Sequence, residues 1–252
     1  MQIYVCVKHV PDSAASITII GDTGIDKNIT FLLNPFDEHA VTQAVKIRDR
    51  IENSEVIAIC LGPENAHTTL QSALAMGADR GVLIQTDKHH DSVFTAKALK
   101  AAIDKDKTVD LILTGKESID TEGMQTMFRL GALFDFPVAN NIVKLEIEDD
   151  HAIVDHELSG GLVNTYKILL PCVIGAGKGL NTPKYPTFPD VVKARKKIIK
   201  KIALDDLNIE ESAAFMTIVK LEPLQQKRNP VEIKGDAEQI IQILKQEAKV
   251  IS

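Results

Sequence analysis

From residue 3 to residue 134 short apolar runs alternate with segments of helical periodicity, and this rhythm limits the folds open to the chain. Ile3–Lys8 is the first apolar run. Asp37–Arg50 places Ala40, Val41, Ala44, Val45 and Ile47 at helical spacing behind an acidic start. Glu55–Leu61 reads as a second strand ended by Gly62-Pro63, and Asn65–Met76 as a helix closed by Gly77, a residue that tolerates the backbone turn past a helix end. The pattern continues with a strand over Gly81–Gln85 and a helix over Ser92–Ile103 capped by Asp91. A strand over Val109–Thr114, ended by Gly115, and a helix over Asp120–Phe134 complete it. Such alternation predicts an α/β fold, a parallel sheet with helices on both faces and right-handed crossovers. Ligands of such sheets bind at the carboxyl ends of the strands, here Lys8–Pro11, Cys60–Pro63 and Gly115–Asp120.

After Pro137 the rhythm changes. Ile142–Glu148 and Ala152–Leu158 alternate around Asp149-Asp150 as a β-hairpin, Leu162–Leu169 extends it, and Pro171–Ala176 returns to a buried strand. From Leu204 no strand–helix unit is complete: Met216–Leu221 is strand-like, Pro223–Pro230 is polar, and Asp236–Ala248 is an amphipathic helix with Ile240, Ile241, Ile243 and Leu244 on one stripe. This divides the chain into an α/β domain over 1–203 and an arm over 204–252 that folds back or wraps a partner.

A net charge of −6 argues against a general nucleic-acid binder and leaves the basic residues between Lys193 and Lys200 as a local exception. Cys6, Cys60 and Cys172 each sit in an apolar run without metal-ligand spacing, which reads as buried thiols in a reducing compartment. The first ten residues read as a strand and not a signal peptide, and no apolar run approaches the length of a membrane span, so a cytoplasmic protein is expected.

No Gly-x-Gly-x-x-Gly follows the first strand, no triphosphate-loop lysine motif is present, and no Ser-His-Asp or metal-ligand arrangement can be argued. No catalytic residue and no metal site is therefore assigned. Gly115 to Thr126 is a stronger signal, because it sets Ser118, Asp120 and Thr121 between a buried strand and the helix read from Asp120, where backbone N–H groups favour an anion. Asn34-Pro35-Phe36-Asp37 is similar, with Asp37 read as a helix cap. Each alone reads as a cap; together with Cys60–Pro63 they lie at strand ends that one crevice can unite around an adenine nucleotide. Leu180 to Lys197 is the other informative stretch: Pro183, Pro186 and Pro189 stiffen a loop that presents Phe188 ahead of a basic segment read as a helix. On local pattern it is a surface loop; the alternative is a preorganised aromatic anchor for another protein.

These residues carry a resemblance. VCVKHVPD (5–12), LNPFDEHAVTQAVKIR (33–48), CLGP (60–63), ALAMGADRGV (73–82), VDLILTGKESID (109–120), ELSGGL (157–162) and LPCVIGAGKGLNTPKYPTFPDVVKARKK (170–197) resemble the β subunits of the electron transfer flavoproteins over nearly the whole chain. The resemblance implies a Rossmann-like fold of the adenine nucleotide α-hydrolase-like type, and a heterodimer with an α subunit that holds most of an FAD. It further implies an electron carrier without substrate chemistry of its own, taking electrons from an acyl-CoA or similar dehydrogenase. AMP would occupy the β subunit, or a second FAD in members that bifurcate electrons from NADH. By the same resemblance the nucleotide touches Val7, Lys8, Asn34, Cys60, Gly62, Gly115, Asp120, Glu122, Gln125 and Thr126. The segment 184–190 becomes a recognition loop for a flavin dehydrogenase, with Tyr185, Phe188 and Pro189 at the contact and Phe188 where members usually carry leucine. Gln125-Thr126 is similar to the AMP-binding type, whereas Met127 and Phe128 put bulk where bifurcating members have glycine and proline. AMP is the expectation. The arm from Leu204 would clasp the α subunit, and no membrane span or nucleic-acid partner is expected.

Overall fold

The computed structural model describes residues 1–106, 108–210, 214–223 and 236–246. In chain order its elements are β1 (Gln2–Cys6), β2 (His9–Pro11), β3 (Ile19–Ile20), β4 (Gly24–Ile25), β5 (Phe31–Leu33), α1 (Pro35–Arg48), β6 (Glu55–Gly62), α2 (His67–Met76), β7 (Arg80–Gln85) and α3 (Ser92–Asp104). Then follow β8 (Leu111–Gly115), α4 (Thr126–Phe134), β9 (Val138–Glu148), β10 (His151–Glu157), β11 (Val163–Leu169), β12 (Cys172–Ala176), α5 (Phe188–Ala194), β13 (Ile199–Ala203) and α6 (Ala237–Gln246).

Nine strands form one sheet in the order β11-β10-β9-β12-β8-β1-β6-β7-β13. From β9 across to β13 neighbouring strands run parallel, while β10 and β11 add antiparallel to β9, which is the expected α/β sheet with a hairpin extension. Alternation along the strands supplies two cores. Ile3 and Val5 of β1 face α1 and α2, and Tyr4 and Cys6 face α3 and α4. Two caps are as read: Asp91 accepts the Phe94 N–H at 2.8 Å, and Gly77 closes α2 with φ +130°.

Four readings change. The helix expected from Asp120 begins at Thr126, because Glu122 and Met124 take left-handed backbone angles (φ 48° and 50°) that no α-helix continues through. Asp37 is not the cap of α1: Asn34 holds that position, and Asp37 lies in the first turn with its carboxylate turned to other strands. The basic helix stops at Ala194, and Ile199–Ala203 is an edge strand paired parallel with β7. Only Ile199 and Ile202 of that strand pack inward, so lysines mask its period. The strand-like run 216–221 is not a strand; its segment is fixed by single backbone bonds, such as Leu221 N–H to Asp22 O at 2.7 Å. The final helix covers 237–246, and Glu247, Ala248 and the run from Leu224 to Pro230, read as polar, lie outside the described residues.

Candidate functional site

The carboxyl ends of β8, β1 and β6 are neighbours, and two buried side chains of the β5–α1 junction tie the first two together. Asp37 accepts the Lys8 N–H on Oδ2 at 2.8 Å and the Gly115 N–H on Oδ1 at 2.9 Å, and Asn34 Nδ2 donates to the same Oδ1 at 3.0 Å. Asp37 is 4% exposed, and burial pushes its carboxyl up to about 7 against the pull of these donors and of the Lys8 charge. Asn34, 1% exposed, also donates to Glu117 O at 2.9 Å and accepts the Ile119 N–H at 3.2 Å. Its amide thus ties the loop after β8 to the first turn of α1. The approach is close enough to require glycine: a Cβ on Gly115 would lie 2.5 Å from Asp37 Oδ1 and 2.6 Å from Phe36 Cβ.

Above this floor the loop turns polar. Lys8 Nζ reaches Asp120 Oδ1 at 2.7 Å, Ser118 Oγ at 3.2 Å and Thr121 Oγ1 at 3.3 Å, so one half-exposed ammonium gathers three partners. Glu122 and Gln125 lie exposed on the outer turn. Gln125 immediately precedes α4 and accepts from Arg129 Nη2 at 2.6 Å, while Arg129 Nε donates to Ser92 Oγ at 2.9 Å. Thr126 opens the helix. Val7 and Cys60 are buried wall residues, and burial pushes the Cys60 thiol up to about 12, which makes it no nucleophile. Gly62 ends β6 beside Ala66. Behind Lys8, the His9 ring stacks on Phe31 at 4.7 Å and shares a 2.7 Å hydrogen bond through Nδ1 with Thr69; burial lowers its pKa and keeps it neutral. Its Nε2 is buried and has no hydrogen-bond partner among the described residues.

The structure therefore brings Val7, Lys8, Asn34, Cys60, Gly62, Gly115 and Asp120 to adjoining strand ends, and leaves Glu122 and Gln125 exposed on the loop that leads to α4 and Thr126 as the first residue of that helix, with Gln125 turned to Arg129 and Ser92. Two hydroxyls, the backbone of a left-handed turn and a Lys8 ammonium shared with the Asp120 carboxylate meet at these strand ends. Sequence reasoning missed Asp37 as the junction of three elements, since its partners are 29 and 78 residues away. Met127, read as bulk at the site, is buried against Gly175 instead, whereas Phe128 is exposed.

The proline loop hangs on the same helix. His39 Nδ1 donates to Asn181 O at 2.9 Å, Asn181 Nδ2 donates to His39 O at 3.0 Å and Gln43 Oε1 at 3.2 Å, and the Lys184 N–H donates to Thr42 Oγ1 at 3.1 Å. Beyond this clasp Tyr185 is 80% and Phe188 82% exposed. Thr187 and Asp190 form a capping box that fixes the first turn of α5 under Phe188 and Pro189. A groove of about 320 Å³ runs behind the loop between α2 and α5, lined by Ala75, Met76, Tyr185, Val191 and Ala194. Lys197 donates to Leu74 O and Ala78 O at 3.1 and 2.6 Å, so this lysine is a strut closing the end of α2.

A family model described as "Electron transfer flavoprotein domain" matches residues 24–207. The chain is similar to the "Electron transfer flavoprotein subunit beta" of Dictyostelium discoideum, 32% identical over 99% of both chains. It is 34% identical to the protein of that name from Bradyrhizobium diazoefficiens and 36% identical to "Electron transfer flavoprotein subunit beta, mitochondrial" of Arabidopsis thaliana, each over 100% of both chains.

Proposed function

The chain belongs to the electron transfer flavoprotein family, and from that premise we propose that it serves as the β subunit of a heterodimer that accepts electrons from a flavin dehydrogenase and passes them on. FAD, held mainly by the α subunit, is the redox group and supplies one- and two-electron transfer when bound. AMP occupies the crevice of this chain. The observation that carries the reading is the network of Asn34, Asp37 and Lys8, which fixes the strand ends and the 115–121 loop without offering a nucleophile or a free base. Such a site binds and orients. Lys8 and the loop backbone would face the phosphate, Val7, Cys60 and Gly62 the buried side, and Asp120, Glu122, Gln125 and Thr126 the remaining polar atoms.

The dehydrogenase docks on 184–190, with Phe188 entering its pocket and Tyr185 and Pro189 beside it; the clasp to α1 and the capping box keep that tip preorganised. The arm from Leu204 embraces the α subunit. In its support, Phe215 and Val219 are exposed on the 214–223 segment, and α6 buries no residue among those described. Three free, buried cysteines fit a reducing cytoplasm, and among the described residues no helix is long and apolar enough to cross a membrane.

The experiment is to release and identify the nucleotides of the purified heterodimer by chromatography and mass spectrometry. One FAD and one AMP are expected. Two FAD would favour the electron-bifurcating alternative, with NADH as donor, and a heterodimer free of flavin would defeat the reading.

A further inference from the structure

The arm of this chain is seated on the α/β domain by a residue that already has another task. Asp91 caps α3, accepting the Phe94 N–H on Oδ1 at 2.8 Å, and its other oxygen, Oδ2, accepts the Phe215 N–H of the arm, also at 2.8 Å. Desolvation works against the charge, yet the backbone N–H groups of Phe94, Phe215, Met216 and Val93 hold this carboxyl below the usual aspartate range. The neighbouring Ser92 is committed elsewhere: its Oγ accepts from Arg129 Nε at 2.9 Å and donates to Gln125 Oε1 at 3.3 Å. Farther along the arm, the Leu221 N–H donates to Asp22 O at 2.7 Å. Side-chain packing adds little to this seat. A cavity of about 400 Å³ lies between His90, Asp91 and Phe94 on one side and Met216, Thr217 and Ile218 on the other, and the side chains of Phe215, Met216 and Val219 are exposed. The segment 214–221 is thus an irregular ribbon fixed through its backbone, with apolar side chains left bare.

We propose that Asp91 is a latch that preorganises the arm: it holds 214–221 in place ahead of assembly and so raises the affinity between the subunits. The proposal rests on the reading in which the arm embraces the α subunit, and it names the residue inside this chain on which that embrace depends. A ribbon that buries little of its own surface has to be ordered when it binds, and the lost conformational freedom opposes association. A carboxylate that accepts a backbone N–H makes a charge-assisted bond, stronger than one between neutral groups. Because the first turn of α3 holds the carboxylate from the other side, the ribbon inherits the rigidity of a helix end. Asp91 is therefore a positioning residue that acts on association through the arm.

Asp91→Asn in the intact, flavin-loaded heterodimer separates the two tasks. Its amide oxygen caps α3 as well as the carboxylate does, while its Nδ2 turns a donor toward the Phe215 N–H. In hydrogen exchange the Phe215 amide should exchange about tenfold faster while the amides of α3 stay unchanged. The dissociation constant of the subunits should rise about fivefold, and electron transfer by the assembled heterodimer should not change. Asp91→Ser, which offers the helix one capping oxygen and the arm none, should behave alike, and it decides the matter if the asparagine variant disturbs α3. Unchanged exchange at Phe215 would overturn the latch, and faster exchange with unchanged subunit affinity would overturn its role in association; either result leaves the carrier reading in place. A wild-type chain that forms no flavin-bearing heterodimer would instead remove the reading on which the proposal stands.

Discussion

The crevice and the proline loop hang on one helix and are made rigid by opposite means. In the first turn of α1 Asp37 is buried and gathers the backbone N–H groups of Lys8, just past β1, and of Gly115 in β8, so the crevice floor is held by hydrogen bonds to one carboxyl in a dry environment. Further along the same helix, His39, Thr42 and Gln43 clasp the start of the loop, but its tip is held by prolines and a capping box and left bare. A buried polar junction fails sharply when one partner is lost, since the others cannot recover water. An exposed apolar tip contributes little to the fold and can be changed freely without unfolding the chain.

The largest expected effect breaks the first half of this contrast. Asp37→Ala strands the N–H groups of Lys8 and Gly115 and should cost about 3–5 kcal/mol in denaturant unfolding, with loss of the bound nucleotide. Asp37→Asn keeps one acceptor and isolates the charge. The carboxyl sits at about 7 when folded, above its unfolded value near 4, so between those limits the folded state holds a proton that the unfolded chain has released. Its contribution is full at acid pH and is lost as pH rises to about 7, with a limiting slope on the order of 1.4 kcal/mol per pH unit. The Asp37→Asn protein should lack that slope; a wild-type profile of the same shape as the variant's would show that the donors, not burial, set the ionisation.

The second prediction tests the other half. Phe188→Ala removes an 82% exposed ring, so unfolding should shift by no more than about 0.5 kcal/mol. Electron transfer from the partner dehydrogenase should nevertheless slow about 30-fold at limiting concentration, as for a hot-spot anchor of about 2 kcal/mol. Loss of flavin from the heterodimer, or a marked fall in stability, would instead make Phe188 a structural residue.

This contrast also explains what could be read from the sequence. The sheet and its helices were legible because alternating apolar runs and 3.6-residue periods are local signals, as at Ile3–Val7 and Ala40–Ile47. The crevice was legible as a set of strand ends, but its keystone was not. Asp37 looked like a cap because nothing local shows that its oxygens face Lys8 and Gly115. Polar residues after Gly115 imitated a helix start, and only the left-handed angles at Glu122 and Met124 deny it. β13 was hidden by its own edge lysines, which serve against aggregation and erase the strand period. The loop was the reverse case: its prolines and the bare Phe188 are local signals and were legible, whereas the Thr187–Asp190 capping box, though also local, was passed over, and the clasp of Asn181 to His39, 142 residues away, could not be read.

The smallest expected effect separates the tip from its support. Thr187 Oγ1 accepts the Asp190 N–H, and Asp190 Oδ2 accepts the Thr187 N–H at 3.0 Å, closing the first turn of α5 beneath Phe188. Thr187→Ala removes the first bond and also the hydroxyl's own donation to Asp190 Oδ2 at 2.9 Å, and leaves the backbone bond, a loss of about 1 kcal/mol for a helix cap. The phenyl ring itself is untouched, so the transfer rate at saturating dehydrogenase should not change. The ring would be held less often in the docking position proposed for it, and the dehydrogenase concentration needed for half-maximal rate should rise about fivefold, the population cost of that lost cap. Thr187→Ser, which keeps the hydroxyl, should restore it. A fall in the saturated rate, or no rescue by serine, would mean that the box does more than hold the anchor in place, and the division between a bare tip and its rigid support would have to be redrawn.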